Sequence, residues 1–137
     1  MSQDLMESGG TIFGQRELDV LGGQPHAVFA VASKTLTVHE ANQTVIAAAV
    51  DLVITLPATQ AGLEFHFIVD TVSAVTGLSI DPAAADKIMG HAITEAVDKD
   101  LINTAATDVV GDSVSLVGDG IDGWYITRIT GTWAREA

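Results

Sequence analysis

The chain has 137 residues, 47% of them hydrophobic but only seven aromatic, with six basic residues against eighteen acidic ones for a formal charge of -12, and no cysteine. A chain of this length fits one domain that buries roughly two thirds of its unfolded surface, and its Ala- and Val-rich composition predicts a finely packed layered core rather than one built on large rings. The missing cysteines exclude disulfides, thiolate catalysis and cysteine-based zinc sites, and the negative charge argues against nucleic acid or an anionic membrane surface as partner.

Residues 1–30 contain Gly9-Gly10, Gly14, Gly22-Gly23 and Pro25 and no sustained periodicity, which predicts an extended N-terminal arm ahead of a β-rich domain over 31–137. The arm carries Ile12, Phe13, Leu18, Val20 and Leu21, too many apolar side chains for a solvated tail, so these five are candidate contacts with the domain, a neighbouring subunit or a partner. The first residues form neither a basic n-region nor an apolar h-region, and no apolar run approaches the roughly 18 residues a membrane span needs. The expectation is a soluble chain made in the cytoplasm.

From Lys34 the pattern turns to a period of two, with Leu36 and Val38 alternating with Thr35, Thr37 and His39, and predicts a strand. Gln43 to Val50 reads as a strand and turn or as an Ala-rich helical turn, and Leu52, Ile54 and Leu56 as a strand closed by Pro57. The clearest strand is Leu63 to Val69, with Leu63, Phe65, Phe67 and Val69 on one face and Glu64, His66, Ile68 and Asp70 on the other. Leu78 to Ile80 and Lys87 to Gly90 read as short strands, Ala92 to Asp98 as one helical turn, and Leu101 to Ala106 as a strand and bend. A hairpin follows, with strands at Ser113 to Val117 and Gly123 to Ile129 around the Gly118-Asp119-Gly120-Ile121-Asp122 turn. About eight short strands without a helix long enough to cover a parallel sheet predict an all-β protein, an antiparallel sandwich or barrel-like domain.

No catalytic set assembles from this pattern. Gly111-Asp112-Ser113 has the letters of a hydrolase signature, but the residues after Ser113 alternate as a strand and no histidine follows His91 to take the proton. Asp119 and Asp122 form half of a calcium loop: position eleven after Asp119 is Thr130 rather than glutamate, so turn chemistry is the better reading. His26, His39, His66 and His91 lack the spacing that places two ligands on one face, and no Gly-rich phosphate loop precedes a helix. Neither a metal, a cofactor nor an enzymatic activity is expected. Trp124, Tyr125 and Trp133 suit either a sugar-stacking platform or hairpin packing, and Trp124 and Trp133 are taken as candidate anchors of the hairpin core and of an interface with a subunit or partner.

The order of segments carries one resemblance. Thr55-Leu56-Pro57-Ala58-Thr59-Gln60-Ala61-Gly62-Leu63-Glu64-Phe65, then Ile80-Asp81-Pro82 with Asp86 to Gly90, then Gly111-Asp112-Ser113-Val114-Ser115-Leu116 and Gly120 to Tyr125 resemble small tailed-bacteriophage virion proteins, nearest the capsid decoration or head cement proteins. It covers about residues 35–135, and its specificity lies in the order of motifs that are individually common in β-hairpins. The resemblance implies a β-rich homotrimer on the capsid exterior, assembled in the host cytoplasm, that binds the major capsid protein and braces neighbouring subunits, with an N-terminal arm as one contact. The alternative is a tail or fibre module that binds a glycan or host receptor.

Overall fold

The computed structural model describes residues 27–137, so the arm residues Ile12, Phe13, Leu18, Val20 and Leu21 lie outside the described part. Among the described residues eleven strands form two sheets: β1 (Ala27–Ala30), β3 (Thr44–Ala47), β5 (Glu64–Val69), β9 (Ser113–Gly118), β10 (Gly123–Thr130) and β7 (Lys87–Met89) in one, and β11 (Trp133–Arg135), β8 (Leu101–Thr104), β6 (Gly77–Asp81), β4 (Val53–Thr55) and β2 (Lys34–Thr35) in the other. The fold is all-β, and the sheets share one core: Val45, Phe65, Phe67, Val114, Leu116 and Trp124 of the six-stranded sheet and Ile54, Leu78, Ile80 and Leu101 of the five-stranded one are buried together.

The antiparallel pairing expected throughout is found in part of the C-terminal half, where β9 runs against β5 and β10, and β8 against β6 and β11, whereas β7 lies parallel to β10. In the N-terminal half β1, β3 and β5 are parallel, as are β2, β4 and β6. From β1 to β6 each strand is followed by one in the opposite sheet, and the chain returns to each sheet running in the same direction until β8, which runs against β6. The parallel pairs therefore need no crossover helix, because the opposite sheet is the crossover.

Local chemistry explains the departures from the alternating pattern. The predicted strand after Lys34 stops at Thr35, because a capping box takes over: the Thr37 amide donates to Glu40 Oε1 at 2.9 Å and Val38–Glu40 close a 3-10 turn. The helical turn expected over Ala92 to Asp98 does not form. His91 and Ala92 sit at φ 50° and 63°, outside the right-handed helical region, and Gly90 bridges Ile93. Gly123 lets β7 approach β10, since a Cβ there would stand 1.9 Å from the Lys87 carbonyl oxygen.

The winding sorts the loops between two ends. Segments 31–33, 48–52, 70–76, 105–112 and 131–132 lie at one end, and segments 36–43, 56–63, 82–86 and 119–122 at the other, with Asp100 and Glu136 on the second side.

Candidate functional site

The four long loops of the first end are stitched together by aspartates. Asp51, at φ 51°, accepts the amides of Val75 (3.2 Å), Thr76 (2.9 Å) and Gly77 (3.1 Å) on one carboxylate oxygen, while its own amide donates to Ser73 Oγ. These bonds, led by those from Gly77 and Thr76, hold the Asp51 carboxyl below its ordinary value. Ser73 in turn donates its amide to Asp108 Oδ2 at 2.6 Å, and Ser33 Oγ accepts the Val53 amide at 2.9 Å. Asp112, buried, accepts from the Val109 amide at 3.0 Å and from Asn103 Nδ2 at 3.1 Å, which ties β8 to the start of β9 across the two sheets.

With three of its four carboxylates spent on loop amides or on Asn103, this end presents apolar side chains. Val31 (72%), Val50 (50%), Val72 (44%), Val75 (78%), Val109 (60%) and Val110 (62%) are all exposed, and the four loops contain no lysine or arginine. Scattered exposed valines are ordinary, but six on the adjoining loops of one end form the kind of surface that marks a binding site. The opposite end carries more of the acidic groups, among them Asp81, Asp98, Asp100, Glu136, Asp119 and Asp122, with Val38, Val97 and Ile121 exposed between them. Burial, followed by the Asp81 and Glu136 carboxylates, pushes the Asp100 carboxyl up to about 7.

The residues singled out from the sequence fall elsewhere. Trp124 is fully buried, its ring 5.7 Å from that of Phe65, and its indole N–H has no acceptor among the described residues. Trp133 is 8% exposed, with Nε1 donating to the Thr130 carbonyl at 2.9 Å. Both are core anchors, so a stacking platform of Trp124, Tyr125 and Trp133 does not form; Tyr125 alone is open, at 50%. Ser113 lies on β9 in register with Ile68 and Thr130 and away from His66, which instead meets Ser115 through Nδ1 at 2.5 Å. Asp119 Oδ1 accepts the amides of Ile121, Asp122 and Gly123 at 2.8, 3.0 and 3.1 Å, which lowers its carboxyl to about 2, and Asp122 pairs with Lys87 at 3.4 Å. No group of three metal-ligating side chains occurs among the described residues.

Sequence reasoning missed the valine end. Val109-Val110 before Gly111-Asp112, and Val72 and Val75 between Asp70 and Gly77, are apolar residues in stretches bounded by turn formers and without strand alternation. That combination was the available signal. The chain matches no known family model, no curated protein and no solved structure.

Proposed function

We propose that the chain is a structural virion protein that binds the outside of a phage capsid and stabilises contacts between major capsid subunits. One observation carries the reading: six exposed valines gather at one end of the sandwich, where three of four carboxylates are taken up by loop amides or Asn103, and most of the other carboxylates gather at the opposite end. The apolar end, held by backbone-to-carboxylate bonds, is a preorganised surface that loses little entropy on docking. The acidic end then faces solution, where like charge keeps particles apart. A homotrimer, which the resemblance over residues 35–135 implies, links three weak contacts into one strong one. The N-terminal segment with Ile12, Phe13, Leu18, Val20 and Leu21 supplies a further contact in this reading. The protein works by burying surface and takes no cofactor.

Electron cryomicroscopy of capsids assembled without the chain and then incubated with it tests the reading. The expected result is density on the outer surface with the 70–76 and 105–112 loops against the shell. Bare capsids, or domains docked through the 119–122 turn, would overturn it.

A further inference from the structure

On the outer face of the six-stranded sheet, near the acidic end, Asn42, Gln43, Thr44, Glu64, His66 and Ser115 surround a cavity of about 230 Å³. Its walls are fixed by the backbone: Asn42, at φ 63°, donates its amide to the Glu64 carbonyl at 2.7 Å, and β3, β5 and β9 pair side by side beneath it. Among the described residues the side chains of Asn42, Gln43, Thr44 and Glu64 have no hydrogen-bond partner, and His66 and Ser115 bond to each other. The cavity thus offers two carboxamides, two hydroxyls, a carboxylate and an imidazole, a mixture of donors and acceptors at close quarters.

Size and charge narrow what fits. The volume lies below the roughly 300–1,000 Å³ of a site for a drug-sized ligand, so one small ring is the scale. Charge favours neither ion: the Glu64 carboxylate is offset by Arg128, in register with Ser115 on the same face, and burial, followed by Arg128, lowers the His66 pKa. A neutral ligand with several hydroxyls uses both the amide donors and the carboxylate acceptor. Along the next row of the same face Glu64 stands opposite Val117 and Val117 opposite Tyr125, which puts the backbone of the half-exposed Tyr125 two strands, about 10 Å, across the sheet from that of Glu64. Flat amphipathic rings of this kind stack on sugars.

We infer that this cavity binds one ring of a neutral saccharide, with Tyr125 carrying the adjoining ring. The inference does not rest on the capsid reading, and docking through the valine end leaves the cavity facing solution.

Titration of the full chain with glucose, galactose, mannose, N-acetylglucosamine and their disaccharides, followed by amide NMR, tests it. A parallel glycan array carrying the same rings at chain ends tells free sugar from glycan. At least one probe is expected to shift the amides of 42–44, 64–66 and 115, with affinity falling about tenfold or more in Glu64→Gln and in Gln43→Ala. Disaccharide binding is expected to weaken in Tyr125→Ala while the spectrum reports an intact fold. Silence of every probe in both arms, or binding unchanged in Glu64→Gln and Gln43→Ala, overturns the inference. Capsid binding is expected to be the same in Glu64→Gln as in the natural chain, so the two readings fail separately.

Discussion

Among the described residues Trp124 is the largest fully buried side chain, packed against Phe65 and with no acceptor there for its indole N–H. Trp124→Ala is expected to cost about 3–5 kcal/mol through lost contacts and the cavity left behind. Trp124→Phe should cost less, because it keeps most of the packing and removes the orphan N–H; urea unfolding of both variants checks the order. Asp100 gives a pH signature. Its folded-state carboxyl sits at about 7 against an ordinary 3.8, so between those values the folded chain keeps a proton that the unfolded chain has lost. Stability from this group is full below 3.8, falls as pH rises to about 7 and is level above. The melting temperature should decline across that window, and Asp100→Asn should flatten the decline. Asp119 acts in the opposite sense and only in acid, since its folded value of about 2 lies under the ordinary 3.8 and its contribution is lost as pH falls through that interval.

At the scale of elements, the strands with clean alternation were legible. Leu63 to Val69 predicted β5 with its buried Phe65, Phe67 and Val69, and the final hairpin is β9 and β10 as read. What the alternation does not encode is the partner. Val45 pairs with Phe67 in a parallel ladder because β4 intervenes in the opposite sheet, and a period of two looks the same in either direction. The aromatic pair Trp124-Tyr125 was visible, but only their parity along β10, Trp124 inward and Tyr125 outward, separates anchor from surface. The valine loops were opaque for a related reason: an apolar residue reads as core until the register shows that it falls between strands. The Asp51 cradle gives this scale its own prediction. Asp51→Ala removes the acceptor for three loop amides, so hydrogen exchange of Val75, Thr76 and Gly77 should accelerate while the β5, β9 and β10 amides stay protected.

Over the described residues as a whole, the winding of the chain between two sheets produces two unlike ends, one richer in exposed valines and tied together from within, the other richer in carboxylates. This polarity is the physical basis for a protein that sits on a surface by one end. The most direct measurement is co-sedimentation with phage capsids assembled without the chain, comparing the natural sequence with the Val75→Asp, Val110→Asp double variant. Both positions are exposed, so the variant should keep its circular dichroism and melt within a few degrees of the natural chain, surface changes being worth about 0.5 kcal/mol or less. The natural chain is expected to pellet with capsids to saturation while the double variant stays in the supernatant; equal pelleting of the two, or none by the natural chain, would contradict docking through the valine end.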